Sequence, residues 1–320
     1  MSPAVAVVVC AFTERRWDDL VAACASLRAQ THPPEKVVVV IDHNDALLRR
    51  AHAELTDVHV VPNIRTQGLS GARNTGVDAV DADVVLFLDD DAVADPRWVE
   101  QLLVHFDDGA VVGAGGYAQP EWDGAGIPWW YPTEFLWVVG CSYEGLPADG
   151  KPIRNPIGCS MAFRRNAIVD AGGFVSSLGR LGSKPLGGEE TELSIRIAQR
   201  EPSTRIVHAA TAVVHHRVPR NRQTVTYFTR RCFWEGVSKS RIALSAPRAA
   251  LSAEKGFVVR TLTRGIRARG GQFLRDRSPR HLTQSLTMLW GVTAAGTGYL
   301  YDRVARTSAQ ATRTAFAVRQ

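Results

Sequence analysis

Three consecutive aspartates follow an apolar run in the first third of the chain. Residues 84–88 have the pattern of a buried strand, and Asp89, Asp90 and Asp91 stand at its C-terminal end. In open α/β sheets, ligands bind just beyond the carboxyl ends of the strands. Adjacent carboxylates repel one another, and Mg²⁺ or Mn²⁺ removes that repulsion while also binding phosphate oxygens. The pattern predicts a metal site for a nucleotide diphosphate; the alternative is a solvated turn that caps a helix at Asp95.

A second group of polar residues follows another apolar run. Asp42 ends that run, where a carboxylate suits hydrogen bonding to a ribose or to the edge of a base. The glycine-rich segment 63–76 combines a loop with a helix start, and its glycines allow close backbone approach. Arg73 and Asn74 in this segment are predicted to point toward the strand ends, where they would fix Asp42, Asp89 or a nucleotide. The alternatives are a helix-capping role for Asp42 and a structural pair between Arg73 and a carboxylate.

Two glutamates, Glu189 and Glu190, open a later helix directly after a pair of glycines. A flexible approach to a helix start places a carboxylate well for removing the proton of an acceptor hydroxyl. Acidic residues at a helix N-terminus are also favoured by the helix dipole. A capping role is therefore the alternative for both.

A histidine pair, His215 and His216, closes the last predicted strand. Side chains alternate between the two faces of a strand, so only one of the pair is expected to face the carboxylates. An imidazole near several aspartates is a suitable third protein ligand for a divalent metal. The alternative is a buried histidine that binds no metal.

These candidate residues need a scaffold that brings distant segments together, and the first 116 residues predict one. Continuous apolar runs alternate there with segments whose apolar residues have helical spacing. Such alternation is typical of an α/β fold with a Rossmann-type, mostly parallel sheet and flanking helices. The predicted strands cover residues 4–11, 36–41, 58–61, 84–88 and 110–115, and the predicted helices cover residues 18–30, 44–54, 69–80 and 96–106.

The pattern changes after residue 116. Residues 117–156 are rich in Trp, Pro and Gly, which predicts an irregular insertion above the sheet. Beyond about residue 220 the pattern is helical and basic, so we predict a catalytic domain over 1–220 and a basic helical region over 221–320. Between the insertion and that region we predict a strand within 155–164, a helix over 188–199 and a last strand over 205–216.

Charge is distributed unevenly along the chain. Residues 1–214 hold 18 basic and 28 acidic residues, net −10, whereas residues 215–320 hold 20 and 4, net +16. This asymmetry predicts an acidic, metal-using body and a basic end that faces an anionic partner. Anionic lipid, a lipid-phosphate acceptor and nucleic acid are the candidates, and a solvated basic helix surface is the alternative.

Cysteine spacing and hydropathy bear on the compartment. The five cysteines form no CxxC pair, which argues against a disulfide framework. We recognise no secretory signal and no uncharged apolar run of 18 residues. The nearest run, 285–301, carries aromatic residues suited to a membrane interface. We therefore expect a cytoplasmic protein that is peripheral at the inner face of the cell membrane.

Seven motifs, in order, make the chain resemble glycosyltransferase family 2, the inverting enzymes with a GT-A fold. They lie within residues 4–220 and read AVVVCAFTERR, VVVVID, NIRTQGLSGARNTG, FLDDD, GCSMAFRR, GGEETELSIR and VHHRVP. No single motif carries the resemblance, and their order along the chain does.

The resemblance implies a role for each matching position. Asp89 and Asp91 would form the DxD pair on Mg²⁺ or Mn²⁺ and the nucleotide sugar, with a histidine of the 215–216 pair near the metal and pyrophosphate. Glu190 would act as the catalytic base, and Asp42 would bind uracil or another base. The expected donor-binding residues are Asp42, Arg73, Asn74, Asp89, Asp90 and Asp91, and the expected acceptor region comprises Trp129, Trp130, Gly158 and Glu189.

The chain departs from the family pattern in three places. The Asp-Asp-Gly-Ser that commonly follows the second strand is Asp42-His43-Asn44-Asp45 here, so the bound base is left open. The catalytic-base position holds a glutamate, which is one methylene longer than aspartate. A QxxRW motif and a bundle of membrane spans are both absent from the sequence, which argues against a processive polysaccharide synthase.

The sequence thus predicts an inverting, metal-dependent glycosyltransferase of the hexosyltransferase type. It would move a sugar from a nucleotide-diphosphate sugar to a hydroxyl of a glycan, a lipid-linked acceptor or a cell-envelope acceptor, and no nucleic-acid partner is expected. Two other classes are left open: a nucleotidyltransferase with a related α/β fold, and a non-catalytic nucleotide-sugar-binding partner protein.

Overall fold

A computed structural model of the chain describes residues 3–179, 186–245 and 261–317, together with residues 256 and 259. The first elements of the chain are β1 (Val5–Ala11), α1 (Trp17–Arg28), β2 (Lys36–Ile41), α2 (Asp45–Glu54), β3 (His59–Pro62), α3 (Leu69–Asp78) and β4 (Val84–Asp89). These four strands are parallel and form one half of the sheet, in the spatial order β3–β2–β1–β4. Each predicted element of this stretch is present, and its ends lie within two residues of the predicted ones.

The second half of the sheet mixes strand directions. Its elements are β5 (Ala92–Ala94), α4 (Trp98–Leu103), β6 (Val111–Trp122), β7 (Pro152–Ile153), β8 (Ser160–Arg164), α5 (Arg165–Asp170), α6 (Glu189–Arg200) and β9 (Arg205–Val218). Strand β8 lies antiparallel between β4 and β6, β6 is parallel to β9, and β5 and β7 are antiparallel to β9. The predicted α/β class is confirmed, and the parallel part of the sheet consists of the first four strands and the β6–β9 pair.

Two local predictions in this half are wrong: Asp95 as the cap of the helix expected over 96–106, and residue 117 as the start of the insertion. The helix itself is present as α4 and a 3₁₀ turn, Val104–Asp107, that follows α4 directly; its N-cap is Arg97, and no side chain caps it. The Asp95 carboxylate lies instead 2.8 Å from Nε2 of His215. Strand β6 also continues to Trp122, because the residues from Tyr117 onward pair with the end of β9. The irregular insertion therefore begins after Trp122.

The apolar runs of the central strands are continuous because both faces of the sheet are covered. Val7 and Val9 of β1 point into one core, together with Leu20 of α1. Val8 points into the opposite core, against α3. A Cβ at Gly76 of α3 would lie 2.3 Å from a Val8 methyl carbon, so only glycine fits this helix against the strand.

The described part of the C-terminal region contains the helices α7 (Val225–Ser245), α8 (Ile266–Asp276) and α9 (Pro279–Ala317). Helices α7 and α9 meet through glycines. A Cβ at Gly236 would lie 1.8 Å from the Ala295 carbonyl oxygen, and one at Gly298 would lie 1.9 Å from the Phe233 carbonyl oxygen. Within the described ranges, no helix is both long and apolar enough to cross a membrane.

The C-terminal helices are fixed to the insertion by a buried polar network. Arg269 of α8 donates both guanidinium Nη groups to the Glu134 carboxylate, and its Nε donates to Oε1 of Gln284 at 3.1 Å. Gln284 of α9 in turn donates to the Trp129 carbonyl oxygen at 3.0 Å. A shared apolar core surrounds the network and includes Tyr131, Phe135, Phe228 and Met288. The division at residue 220 stays a prediction, and side chains from both sides of it meet in this core.

Candidate active site

Three of the predicted ligands meet at the C-terminal end of β4. Asp89 is the last residue of that strand, and Asp91 ends the two-residue turn to β5. β5 pairs antiparallel with β9, and this pairing sets His216 opposite Ala92. Ligand atoms of Asp89, Asp91 and His216 all lie within 4.8 Å of one another. Two carboxylate oxygens and one imidazole nitrogen suit Mg²⁺ or Mn²⁺, so these residues could hold the predicted metal.

Of the clustered aspartates, Asp91 has the most basic side chains beside its carboxylate. Its Oδ1 lies 3.3 Å from Nε2 of His216, and its Oδ2 lies 3.2 Å from Nη1 of Arg16 and 3.3 Å from Nη2 of Arg222. Burial acts to raise the pKa of the Asp91 carboxyl. The charges of His216, Arg16 and Arg222 outweigh burial and hold that pKa well below its usual range.

The pairing with Asp91 favours the protonated form of His216. Burial alone would lower the pKa of its imidazole, but the adjacent Asp91 carboxylate raises that pKa to about 10. Because a metal binds only the unprotonated nitrogen, metal binding at His216 displaces a proton. His215 points to the other face of β9, where it contacts Asp95 and Glu121. The structure thus brings His216 to the carboxylates and keeps His215 away from them.

Asp90 is paired differently from its two neighbours. Its Oδ1 accepts a hydrogen bond from Nη1 of Arg16 at 2.7 Å, and its buried Oδ2 has no partner among the described residues. Burial, with the charges of Asp91 and Asp89, outweighs Arg16 and raises the pKa of Asp90 to about 7.

Arg73 connects the carboxylate cluster to the two glutamates. It is 2% exposed, and its Nη1 donates to Oε1 of Glu189 at 2.8 Å. Its Nη2 donates to the Gly158 carbonyl oxygen at 2.9 Å and lies 3.5 Å from Asp89. The predicted contact between Arg73 and Asp89 is therefore present. The alternative, a structural ion pair between Arg73 and a carboxylate, is present as well, with Glu189 as the partner.

Loss of Arg73 should destabilise the fold strongly. We expect Arg73→Ala to lower the free energy of unfolding by about 3–5 kcal/mol, because it leaves the buried Glu189 carboxylate without its partner. Arg65→Ala is the matched control, since Arg65 pairs with Asp78 at 2.7 Å where both side chains are 49% exposed. Such an exposed pair contributes about 0–1 kcal/mol. Urea denaturation measures both changes, and equal losses would contradict a buried role for Arg73.

Two of the expected donor-binding residues brace loops near the strand ends. Asp42 accepts hydrogen bonds from Nδ2 of Asn63 at 2.7 Å and from the Gly68 backbone at 2.9 Å, so it holds the glycine-rich loop in place. Asn74 exchanges two 2.8 Å hydrogen bonds with the backbone of Phe174. His43, next to Asp42, has a φ of 49°, a left-handed conformation that is uncommon outside glycine.

Glu190 is the member of the glutamate pair whose side chain has no ion-pair or hydrogen-bond partner among the described residues. Glu189 begins α6 and is held by Arg73, whereas Glu190 is the next residue and is partly exposed as a whole. Its carboxyl end is the buried part, and this burial, with the adjacent charge of Glu189, raises the pKa of Glu190 to about 8. A carboxyl group with its pKa raised toward the working pH is suited to proton transfer.

The two tryptophans of the expected acceptor region differ in environment. The side chain of Trp129 is 58% exposed. Trp130 packs instead against the rings of Tyr131 and Phe228, with centroids 5.1 and 5.8 Å away. Trp129 is thus available to a ligand, while Trp130 contributes to the core that joins the insertion to α7.

Sequence analysis did not assign the arginines that face Asp91. Arg16 follows β1 in the AVVVCAFTERR motif, and Arg222 lies in a 3₁₀ turn just after VHHRVP. Both motifs were associated with the site, but neither spacing shows that the chain folds these arginines back onto Asp91.

The family follows from sequence comparison. Residues 6–171 match the sequence profile of glycosyl transferase family 2. The chain belongs to this family. The matched span contains Asp42, Asp89 and Asp91 and ends before Glu190 and His216.

Alignments with two named relatives cover more of this family 2 enzyme than the family profile does. Glucosyl-dolichyl phosphate glucuronosyltransferase of Haloferax volcanii is 29% identical over 301 residues, which cover 93% of this chain and 95% of the relative. Succinoglycan biosynthesis protein ExoM of Rhizobium meliloti is 27% identical over 237 residues, which cover 71% of this chain and 72% of the relative. Together with the family match, these relatives show that the protein is a glycosyltransferase.

Solved structures show the same fold. Mannosyltransferase PcManGT of Pyrobaculum calidifontis, in complex with GDP-Man and Mn²⁺, aligns with a TM-score of 0.60 at 17% identity, covering 94% of this chain and 88% of its own. GalNAc-T7, with UDP, GalNAc and Mn²⁺, aligns with a TM-score of 0.53 at 16% identity, and the alignment covers 80% of this chain and 53% of GalNAc-T7. The family 2 enzyme described here therefore has a GT-A-like fold.

Proposed function

We propose that the protein is an inverting glycosyltransferase that uses a nucleotide-diphosphate sugar and a divalent cation. The observation that carries this proposal is the meeting of Asp89, Asp91 and His216 at the strand ends, with Glu190 at the start of α6. A metal bound there would neutralise negative charge on the leaving diphosphate. Mn²⁺ in the two solved relatives of this fold supports the choice of ion.

The transfer itself is assigned to Glu190. Its carboxylate takes the proton of the acceptor hydroxyl as that oxygen bonds to the anomeric carbon, and the bond from this carbon to the diphosphate oxygen breaks. Attack from the face opposite the leaving group inverts the configuration. Glu189 is the weaker candidate for the base, because Arg73 already holds its carboxylate.

A lipid-linked saccharide is the proposed acceptor. The relative from Haloferax volcanii is named for action on a glucosyl-dolichyl phosphate, and the alignment covers nearly all of both chains. The exposed Trp129 offers an aromatic surface for stacking against a sugar, near the shared core of the insertion and α9. Asp42, above the glycine-rich loop, is proposed to contact the donor's base.

Donor turnover tests the assignment. A panel of UDP-, GDP- and dTDP-sugars is incubated with Mn²⁺, with and without a phospholipid-linked saccharide, and the released nucleotide is identified. We expect acceptor-stimulated release of nucleoside diphosphate. Release of pyrophosphate would instead identify a nucleotidyltransferase, and binding without any release would identify a non-catalytic sugar-nucleotide-binding protein.

Helix α9 supports a position at a membrane surface. One face packs on α7, while the rest of the helix surface exposes large apolar side chains over residues 282–304, about 33 Å of helix. Trp290 and Tyr301 lie at the edge of this surface, where they also contact Thr229 and Phe233 of α7. No acidic or basic residue occurs from 282 to 301. The exposed side chains, each 45–66% accessible, are Leu282, Leu286, Leu289, Trp290, Leu300, Tyr301 and Val304.

The charges around this face favour an anionic bilayer. Arg275, Arg277 and Arg280 precede the apolar face and Arg303 follows it, all of them exposed. Each such arginine near anionic lipid contributes around 1 kcal/mol. We propose that α9 lies in the plane of the membrane interface, with the enzyme peripheral at the inner face of the cell membrane. Residues 221–320 would then be the membrane-associating region.

A single charge on this face should abolish membrane binding. We expect wild-type protein to float with phosphatidylglycerol vesicles but not with phosphatidylcholine vesicles, and Leu286→Asp to stay in the soluble fraction. Val104→Asp is the matched control, because Val104 is 57% exposed on the catalytic body. If Leu286→Asp floats like the wild type, α9 is not the docking face. If the wild type is dimeric and ignores vesicles, a second copy covers this face instead.

A further inference from the structure

Asp91 has two arginine partners that differ in how firmly they are held. Arg16 donates to Asp90 at 2.7 Å as well as lying 3.2 Å from Asp91. The guanidinium group of Arg222 has one acceptor among the described residues, Oδ2 of Asp91, which lies 3.3 Å from its Nη2. Of the two, Arg222 is therefore the one that depends on Asp91.

Arg222 also has hydrogen-bonding capacity that the described residues do not use. The residue is 6% exposed, and its buried Nη1 has no partner among them. A buried guanidinium group with an unused donor is costly unless a ligand completes it. The open donor lies beside the carboxylates that are proposed to hold the metal, so the missing partner should be an anion brought to that metal.

Metal binding changes what Asp91 can offer Arg222. A dication bound to Asp91 shares its carboxylate and lies close to the guanidinium, so attraction between Asp91 and Arg222 is offset by repulsion from the metal. A diphosphate bound to the same metal attracts Arg222 in place of Asp91, since a guanidinium group fits two phosphate oxygens well. Arg16 keeps Asp90 as a partner through the same event.

We propose that Arg222 exchanges partners during donor binding: it pairs with Asp91 before the metal binds and with the donor's diphosphate afterwards. This inference rests on the proposed function, in which a nucleotide diphosphate binds at Asp89, Asp91 and His216. Its consequence is that metal and diphosphate bind cooperatively. The cation alone has to displace Arg222, whereas the cation with a diphosphate gives Arg222 a new partner.

Calorimetry with Mn²⁺ and inorganic pyrophosphate tests this exchange without knowledge of the sugar or the base. Coupling between two ligands commonly amounts to about 5–150-fold, and it is reciprocal. In the wild type we expect pyrophosphate to raise Mn²⁺ affinity by about 10-fold or more, within that range. In Arg222→Gln we expect Mn²⁺ alone to bind equally well or more tightly, while the enhancement by pyrophosphate becomes clearly smaller than in the wild type, because only the direct contact between metal and diphosphate then couples the two ligands.

The opposite directions of these two effects separate a partner exchange from damage to the site. Arg220→Gln is the matched control, because Arg220 is exposed in the same 3₁₀ turn. Arg222→Lys keeps the positive charge but lacks the forked guanidinium group, so it should retain part of the coupling. This variant tests the proposal if Arg222→Gln fails to fold. Weaker binding of Mn²⁺ alone by folded Arg222→Gln, or unchanged coupling, would overturn the proposal.

Failure of the inference is distinguishable from failure of the proposed function. If the wild type releases nucleoside diphosphate from a sugar nucleotide and Arg222→Gln keeps full coupling, only the exchange is wrong. If the wild type neither couples Mn²⁺ to pyrophosphate nor turns over any sugar nucleotide, both are wrong.

Discussion

Glu190→Gln is expected to lower turnover by about 10²–10⁴-fold, the usual contribution of a general base. Donor binding should be retained, because a base acts in the transition state and contributes little to binding in the ground state. Single-turnover assays with the donor identified by the sugar-nucleotide panel measure the first effect. Calorimetric titration of the same donor with Mn²⁺ measures the second.

The pH dependence of the wild-type enzyme provides an independent check on Glu190. Only the carboxylate form accepts a proton, and the pKa of Glu190 is raised to about 8. Turnover should therefore rise with pH through about 8, and Glu190→Gln should lose this rise.

Glu189→Gln is the comparison variant for the glutamate pair. It weakens the buried contact with Arg73, so we expect lower stability with turnover less affected than in Glu190→Gln. An inactive but stably folded Glu189→Gln, together with an active Glu190→Gln, would assign the base to Glu189 instead.

Asp91→Asn should abolish metal-dependent donor binding. Residues that merely support metal ligands are typically worth about 10–100-fold in affinity or activity, so loss of a ligand should cost at least that much. The variant also removes the anion that faces His216, Arg16 and Arg222, so it should melt at a lower temperature than the wild type. Thermal melts with and without Mn²⁺ and nucleoside diphosphate report both effects.

A nearby aspartate supplies the control for Asp91→Asn. Asp95 contacts His215 on the other face of β9, and its side chain is 44% exposed. Asp95→Asn should therefore keep the stabilisation by Mn²⁺. If Asp91→Asn is stabilised by Mn²⁺ as strongly as the wild type, Asp91 is not a ligand.

The scaffold was predictable from sequence because each central strand has to bury both faces. A run such as residues 5–11 has no polar side for water, so its element type follows from composition alone. The position of Asp42 and Asp89 at the same end of the sheet, on either side of β1, was predictable for a related reason, since parallel strands carry their C-terminal ends to the same side.

Side-chain pairing within the site was less accessible to sequence reasoning. The choice between His215 and His216 depends on strand register, and a shift in the β6–β9 pairing between Gly116 and Tyr117 makes parity difficult to count from sequence. Arg73 and Glu189 are 116 positions apart, so nothing local identifies them as partners. Asn74 hydrogen-bonds to the backbone of Phe174, 100 positions away, which the sequence does not show either; its contact with the donor stays a prediction.

The stacking of α9 on α7 has a consequence for how far the reaction lies from lipid. Helix α7 separates α9 from the start of α6, where the Gly187 backbone donates to Oγ of Ser238 at 3.3 Å. Packed helices are spaced about 8–10 Å apart, and the glycine contacts of α7 and α9 favour the lower end. With α9 docked on a bilayer, Glu190 would lie about two helix layers above the bilayer surface. An acceptor with its lipid tail in the membrane must then bridge that height, so the α7–α9 pair would select saccharide head groups by length.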